Sequence, residues 1–358
     1  MKTILDIPDL KGKKVLLRVD FDVPVENEKI MEQFRIAKQK KTLDFLLDKG
    51  AWVLMVAHIS ATKSFEPIVP QLEKILGHKI RFLKEIENSS LEQLNLLDNI
   101  RKWPGEEDNS EDFARILAEG FDVYINNCFS TSHRNHSSFV SVAKLIPAYA
   151  GPLIKEETEQ LQKIIDAPKE GKILIMGGAK ASTKIPVIKN LINNSEAILV
   201  GGVIANDIFK FKGIDVGNAI VDNNLEELFS GLDLNDPRII LPEDFNLFEN
   251  KMSDIGPSSI KKFTDIIKQA KMVLWNGPMG VFEDERFVAG TKGVAEAMAE
   301  SNAFKVLGGG DTIAAISKFK IQNSKFNFIS TGGGAMLVFL AGDKLPGLEV
   351  LGYYNQND

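Results

Sequence analysis

Short apolar runs that end in glycine recur along the second half of the chain. Residues 173–176, 197–200, 304–307 and 328–331 each form such a run, and two or three glycines follow directly. An apolar run of this length that stops at turn residues is typical of a buried strand, and helical patterns follow most of these runs. Strands that alternate with helices predict right-handed crossovers and a parallel sheet with helices on both faces.

The first half of the chain follows the same scheme. Apolar runs at residues 15–19, 53–57 and 122–125 predict strands, and helical periodicity predicts helices over residues 35–48 and 67–76. We therefore expect an α/β fold with one parallel sheet in each half.

A boundary is expected between the two halves. Two prolines and a glycine fall within residues 146–152, and a charged helical stretch follows over residues 153–168. This pattern predicts a first lobe over residues 1–152, a connecting helix over 153–168 and a second lobe over 169–341. Two α/β lobes joined by a helix predict a cleft that closes by hinge motion.

The most informative turn follows the apolar run at residues 272–275. It reads Asn276, Gly277, Pro278, and a carboxylate, Glu283, comes a few residues later. Ligands of open parallel sheets bind outside the carboxyl ends of the strands, so Asn276 and Glu283 are expected at a binding crevice. One such corner is usually only a turn. Several glycine corners at one crevice favour a phosphate-rich ligand, because glycine allows close approach and helix N-termini bind anions.

Composition restricts the class of protein and the cellular location that are expected for the chain. The 358 residues are 44% hydrophobic and 26% charged, with a formal net charge of -6. The negative balance argues against general nucleic-acid binding, and no apolar stretch approaches the ~20 residues that a membrane span needs. The single Cys128 excludes an internal disulfide framework, and the N-terminus is a poor signal peptide, so a cytoplasmic location is expected.

Basic side chains gather in the first half, mostly near the ends of predicted strands. They are Arg18, Arg35, Arg101, Arg134, His58, His78, His133 and His136. Arginine is suited to bidentate contacts with carboxylates and phosphates, so the set indicates an anionic small molecule, although each residue alone fits an ordinary surface charge. His133 and His136 could also be metal ligands, but the sequence offers no third ligand beside them.

Taken together, these motifs resemble the phosphoglycerate kinase family. The likeness spans nearly the whole chain, and the motifs follow the family's order. They are residues 18–24 (RVDFNVP in the family), 125–129 (VNDAF), 132–136 (AHRAH), 177–184 (GGAKVSDK), 275–283 (WNGPMGVFE), 308–312 (GGGDT) and 330–335 (STGGGA).

The resemblance implies a glycolytic and gluconeogenic kinase that transfers a phosphoryl group between 1,3-bisphosphoglycerate and ADP, giving 3-phosphoglycerate and ATP. It implies two Rossmann-like lobes, with the acid on the first and the magnesium complex of the nucleotide on the second. Residues 342–358 would return to the first lobe. A monomer is expected, with these small molecules as partners and no nucleic acid or membrane.

The resemblance also assigns site residues, motif by motif. The acid would be held by Asp20, Asp22, Arg35, His58, Arg101 and Arg134. The nucleotide would be held by Gly178, Lys180, Lys184, Gly202, Asn276, Glu283, Gly309, Gly310, Asp311 and Thr312. Asp311 would approach the Mg²⁺ and Glu283 the ribose. Catalysis would depend on Arg35, Lys184, Gly309 and Gly333.

Several departures from the family pattern fall in the acid half. Ala61 stands where the family's HLGRP segment has Arg, Asp22 replaces the Asn of RVDFNVP, and Asn127 replaces the Asp of VNDAF. Lys63 is a candidate substitute for the missing Arg. The chain is also shorter than typical members, with apparent shortening within residues 83–99 and 245–254. Two alternatives stay open: a kinase for a related acyl phosphate, and a nucleotide-binding paralogue with weakened catalysis.

Overall fold

The computed structural model of the protein describes residues 1–86 and 91–356. Residues 87–90, within the first of the two stretches predicted to be shortened, therefore lie outside the described residues. The chain divides into two compact units, residues 1–159 with 344–358, and residues 160–343. The division falls inside a single helix, Pro152–Asp166.

The first unit is built on a parallel sheet. In chain order its strands are β1 (Lys14–Arg18), β2 (Val25–Glu26), β3 (Lys29–Ile30), β4 (Trp52–Val56), β5 (Arg81–Leu83), β6 (Leu94–Leu97), β7 (Val123–Asn126) and β8 (Ala148–Ala150). The strands β2 and β3 form a separate antiparallel hairpin, and the other six pair in the order β5-β6-β4-β1-β7-β8.

Helices cover both faces of this sheet. They are α1 (Phe34–Asp48), α2 (Val69–Leu76), α3 (Glu111–Ala118), α4 (Ser141–Leu145) and the first part of α5 (Pro152–Asp166). Alternate residues of β1 enter different cores: Val15 and Leu17 pack in one hydrophobic cluster, and Leu16 packs in another. A strand buried on both faces reads as a continuous apolar run, which is why the sequence predicted it correctly.

The second unit repeats the architecture. Its strands are β9 (Lys172–Met176), β10 (Ala197–Val200), β11 (Ile239–Ile240), β12 (Phe245–Phe248), β13 (Lys251–Ile255), β14 (Met272–Asn276), β15 (Phe304–Gly308) and β16 (Phe328–Ile329). The hairpin β12–β13 is antiparallel, and the parallel sheet has the order β11-β10-β9-β14-β15-β16. This is the strand order of a Rossmann fold, whose ligand crevice lies where the order reverses, between β9 and β14.

The remaining helices follow the strands of the second unit and then return to the first. They are α6 (Ile185–Leu191), α7 (Gly202–Phe211), α8 (Leu225–Phe229), α9 (Pro257–Gln269), α10 (Ala289–Glu300), α11 (Gly310–Lys318), α12 (Gly333–Leu340) and α13 (Pro346–Glu349). Within the first unit, Gly347 N donates to the carbonyl of Ser132, and Val350 packs against the cluster that contains Cys128.

The predicted α/β fold with a parallel sheet in each half is confirmed. Predicted strands and helices begin and end within about two residues of the observed ones; the helix predicted over 67–76, for example, is a 3-10 turn, Glu66–Ile68, followed by α2. No helix in the described part of the chain is both long and apolar enough to cross a membrane.

Candidate active site

In the first unit, Asp22 and His58 meet just beyond the carboxyl ends of β1 and β4. Ser60 N donates to Asp22 Oδ1 at 2.7 Å, and His58 Nε2 lies 3.3 Å from Asp22 Oδ2. Burial alone would raise the pKa of Asp22, but the contacts from His58 and Ser60 outweigh it and hold that pKa well below its usual value. Asp22 is therefore ionised throughout the physiological pH range.

The position of Arg18 fixes the tautomer of His58. Arginine can only donate, so Arg18 Nη2, 3.2 Å from His58 Nδ1, makes this ring nitrogen an acceptor. Burial lowers the pKa of His58, and the nearby charge of Arg18 adds to the effect. The imidazole is thus neutral at neutral pH, and its one N–H is on Nε2, facing Asp22.

Behind His58 lies a buried polar chain that the sequence analysis missed. Arg18 Nε donates to Ser138 Oγ at 3.0 Å, and that hydroxyl donates to Glu106 Oε1 at 2.7 Å. Burial raises the pKa of Glu106, although Arg18 and Ser138 act in the opposite direction. Arg18 was noted only as a basic residue near a strand end; on the last position of β1, facing inward, it positions His58.

The predicted arginines of the acid set differ in their surroundings. Arg35, in the first turn of α1, donates from Nη1 to the carbonyl of Asp22 at 2.9 Å, and its Nε lies 3.9 Å from Asp20 Oδ2. Arg101 Nε is 3.1 Å from Glu107 Oε1. Arg134 is exposed, and among the described residues its side chain has no hydrogen bond. The structure therefore brings Asp20, Asp22, Arg35 and His58 together directly.

The metal interpretation of the histidine loop finds no support from a ligand cluster. Within residues 1–86 and 91–356, no group of three or more His, Cys, Asp or Glu side chains is placed to hold a metal ion. His136 instead lies close to the buried carboxylate, with Nδ1 3.9 Å from Glu106 Oε1.

In the second unit, a cavity of about 210 Å³ opens at the point where the strand order reverses. The turns after β9, β10 and β14 form its floor and are bonded to one another. Gly178 N donates to Pro278 O at 2.7 Å, and Gly202 N donates to Met279 O at 3.0 Å. Gly277 has φ +89°, and a Cβ there would lie 2.2 Å from the carbonyl oxygen of Gly177, so only glycine permits this approach.

Two charged groups lie at or beside this cavity, near Gly178 and the start of α11. Lys184 is buried just before α6, and its Nζ donates to the carbonyl of Lys180 at 3.3 Å. Burial lowers the pKa of Lys184, while the charge of Asp311 opposes that shift. Asp311 is exposed in the first turn of α11 and lines the cavity. A helix N-terminus with a nearby lysine is suited to phosphate.

Two predicted nucleotide residues hold the backbone rather than face the cavity. The Asn276 amide donates from Nδ2 to Gly308 O at 3.0 Å, and Thr312 Oγ1 accepts from Gly277 N at 2.8 Å. The first bond joins the ends of β14 and β15, and the second joins the turn after β14 to α11. Gly333, at the start of α12, comes close to the same region: a Cβ on it would lie 2.7 Å from Gly309 Cα.

Glu283 is exposed at the cavity, and its backbone is held by a lysine that the sequence analysis missed. Lys318 Nζ, on the last turn of α11, donates to the carbonyls of Phe282 at 2.9 Å and Glu283 at 3.1 Å. The position of Lys318 after the GGGDT motif does not predict this contact, because the carbonyls that it binds belong to a different motif.

The far wall of the cavity is held by α7. Asn206 Nδ2 donates to Ile220 O at 3.2 Å, and Asp207 Oδ1 accepts from Asp222 N at 2.7 Å. Asp207 Oδ2 is buried and has no hydrogen-bond partner in the described part of the chain. Burial raises the pKa of Asp207 to about 7, and the charge of Asp222 adds to the shift. An Asp inside the apolar stretch 203–209 was the available signal in the sequence.

Comparison with known proteins accounts for this arrangement. A family model for phosphoglycerate kinase matches residues 4–343. The chain is 39% identical to phosphoglycerate kinase of Dictyoglomus turgidum, over 98% of each chain, and 38% identical to that of Francisella philomiragia, over 98% of this chain and 97% of the relative.

The chain belongs to the phosphoglycerate kinase family.

Solved structures of the family are also similar to it. The phosphoglycerate kinase of Coxiella burnetii is 30% identical with a TM-score of 0.84, and each chain is covered to 98%. That of Pyrococcus horikoshii is 28% identical with a TM-score of 0.87 over 100% of both chains. The resemblance drawn from the motifs is confirmed, as is the two-lobe α/β fold.

Against the family pattern, two of the three departures lie close together in the first unit. Ala61 and Lys63 are both exposed in the loop after β4, and Ser60 of that loop bonds to Asp22. Asn127 is buried and donates to Gln39 Oε1 at 2.8 Å, while its own Oδ1 accepts from Leu153 N at 3.1 Å. The amide therefore joins α1 to the first turn of α5, a double role that a carboxylate could not fill, since it cannot donate.

Proposed function

We propose that the chain acts as a phosphoglycerate kinase, reversibly transferring a phosphoryl group from 1,3-bisphosphoglycerate to ADP to give 3-phosphoglycerate and ATP. The observation that carries the proposal is the mainly apolar cavity at the β9–β14 crossover, which Asp311 lines at the start of α11 and which Lys184 adjoins beside Gly178, an arrangement suited to a nucleotide with its base inside and its phosphates at the edge. Membership of the family supplies the reaction. Its place would be glycolysis and gluconeogenesis.

The acid is proposed to bind at the strand ends of the first unit. Arg35, Arg101 and Arg134 would contact its phosphate and carboxylate, because guanidinium groups bind such oxygens bidentately. Asp20 Oδ2 is buried without a hydrogen-bond partner among the described residues, which suits it to accept from a substrate hydroxyl. His58 and Asp22 border the same space.

The nucleotide is proposed to bind in the second unit. Lys180, Lys184 and the amides that follow β9, β10 and β15 would hold its phosphates, and Glu283 its ribose. Asp311 fits as the protein ligand of a Mg²⁺ ion that arrives with the nucleotide, because Mg²⁺ is usually held by one or two carboxylates together with substrate phosphates. When bound, the ion neutralises phosphate charge.

This chemistry needs no general base. The acceptor in the ATP-consuming direction is a carboxylate, which is already ionised at neutral pH. Phosphoryl transfer then depends mainly on positioning and on charge stabilisation, which Lys184, Arg35 and the amides of Gly309 and Gly333 are proposed to supply. Transfer requires that acid and nucleotide come together, and the hinge cleft that would allow this stays a prediction. A monomeric state and a cytoplasmic location, without nucleic-acid or membrane partners, also stay predictions.

A coupled assay tests the proposal. Purified protein with 3-phosphoglycerate and Mg-ATP should produce ADP, and Lys184→Met should lose most of this activity. Lys268→Met, an exposed lysine on α9, is the matched control and should keep it. Absence of ADP production by the unmodified protein, with nucleotide binding intact, would support the paralogue with weakened catalysis instead.

A kinase for a related acyl phosphate is the second candidate. Ala61 and the carboxylate of Asp22 favour it, because both reduce the positive charge available to a phosphorylated acid. The same assay with a panel of unphosphorylated and phosphorylated carboxylic acids decides between them: the true acceptor gives the highest kcat/KM.

A further inference from the structure

The carboxylate of Asp22 takes up hydrogen-bond donors of the proposed acid site. Its Oδ1 accepts from Ser60 N at 2.7 Å, and its Oδ2 faces His58 Nε2 at 3.3 Å. The carbonyl of the same residue accepts from Arg35 Nη1 at 2.9 Å. One residue therefore engages a backbone amide, an imidazole and a guanidinium that all border the same space.

His58 has no second N–H to offer a ligand. Its Nδ1 accepts from Arg18, whose guanidinium is fixed by Ser138 and by the carbonyl of Val19. The neutral ring carries its single proton on Nε2, and Asp22 lies in front of it. A phosphate could contact this N–H only by displacing the Asp22 carboxylate.

The cations nearby are also opposed by carboxylates of the chain. Arg35 Nε lies 3.9 Å from Asp20, and Arg101 Nε lies 3.1 Å from Glu107. Position 61 carries Ala, which adds no charge. Neither contact of these two arginines is a hydrogen bond, since Asp20 Oδ2 and Arg101 Nε both lack a hydrogen-bond partner in the described residues. The carboxylates therefore lower the net positive charge that an acid with a phosphate and a carboxylate meets, without taking up these two donors.

We propose that Asp22 is an internal anion that competes with the acid substrate for the donors of its own site, and so limits how tightly this chain binds a doubly charged acid. The identity of that acid rests on the proposed function. Asp22 is then a specificity-determining residue, because a substrate with less negative charge next to Asp22 loses less binding affinity to this competition.

An amide at this position would release a donor. A carboxylate accepts through two oxygens, whereas an amide has one acceptor oxygen and a donating nitrogen. In Asp22→Asn, either the Ser60 N–H or the His58 N–H loses its acceptor and becomes available to the ligand, and one negative charge is removed. A charge-assisted hydrogen bond to phosphate is worth roughly ten- to a hundredfold in affinity.

Calorimetry with 3-phosphoglycerate tests this. Asp22→Asn should bind the acid at least roughly tenfold more tightly than the unmodified protein. Asp48→Asn removes the same charge from an exposed position at the far end of α1 and should change the affinity little. Nucleotide affinity should be equal in all three proteins. Equal or weaker acid binding by Asp22→Asn would overturn the inference and make the carboxylate a ligand of the substrate.

A second measurement needs no substrate. Nitrogen-15 NMR of the unmodified protein, with the His58 signals assigned, should show its ring neutral, protonated on Nε2, and shifted in Asp22→Asn but not in Asp48→Asn. A His58 ring protonated on Nδ1, or insensitive to Asp22→Asn, would overturn the inference. If 3-phosphoglycerate is not the substrate, titration with inorganic phosphate tests the competition with Asp22 instead. Failure of the proposed function then shows only in the coupled assay.

Discussion

Replacing Asp207 by Asn should stabilise the protein more at pH 8 than at pH 5. In the folded chain, Oδ1 accepts from Asp222 N, while Oδ2 is buried without a partner in the described residues. An amide of the same size keeps the first contact and carries no charge. The gain should therefore grow with pH, from the pKa of the unfolded carboxyl up to that of the folded one.

The sign follows from the two pKa values. Burial raises the pKa of Asp207 from 3.8 to about 7. Between these values the folded chain keeps a proton that the unfolded chain has lost, so its stability falls as the pH rises through this window, and the full cost is present above pH 7. A shift of about 3 pKa units corresponds to at most about 4 kcal/mol. Water entry and local relaxation reduce this cost, so a gain of about 2 kcal/mol at pH 8 is expected.

Urea unfolding at pH 5 and pH 8, followed by tryptophan fluorescence, measures the effect, since Trp275 is fully buried in the same unit. Asp215→Asn is the matched control, because Asp215 also accepts one backbone N–H, from Gly217 at 2.9 Å, but is exposed. A stability difference for Asp207→Asn that is the same at both pH values would refute the argument, since that is the result for a carboxyl whose pKa is the same in the folded and the unfolded chain.

Three further outcomes are expected. Lys184→Met should lower kcat by roughly tenfold or more, because a charged hydrogen bond to the transferring group is lost; near-normal turnover would remove Lys184 from the catalytic set. Ala61→Arg should tighten 3-phosphoglycerate binding by roughly tenfold in calorimetry. If Lys63 already supplies the missing charge, Ala61→Arg has little effect and Lys63→Met weakens 3-phosphoglycerate binding instead. Lys318→Met should raise KM for ATP more than it lowers kcat, because it frees the backbone of Glu283; an unchanged KM would show that this loop is held without the lysine.

The fold was predictable because its central strands are buried on both faces. Such strands appear as unbroken apolar runs, and glycines mark where each one ends. Short edge strands were not predictable: β5 and β11 have three and two residues, too few for any periodicity. Their pairing is set by neighbouring strands in the sheet.

The candidate site was predictable only where its residues lie within family motifs. The motifs name Lys184 and Asp311, but they carry no information on what lies behind them. Glu106 and Ser138 support His58 through Arg18, from positions 32 residues apart that periodicity cannot connect. The contacts of Asp22 with His58 and Ser60 likewise join two loops that follow different strands, and only the three-dimensional structure shows that these loops meet.

The return of the chain to the first unit has a consequence for the order of synthesis. Residues 160–343 are continuous, so all strands of the second unit precede the C-terminal residues that complete the first. The first unit is made earlier but stays incomplete until later, because Gly347 bonds to Ser132, two residues before Arg134, and Val350 packs beside Cys128. The loop that carries Arg134 therefore gains its packing partners after the second unit is complete, so the first unit should finish folding after the second.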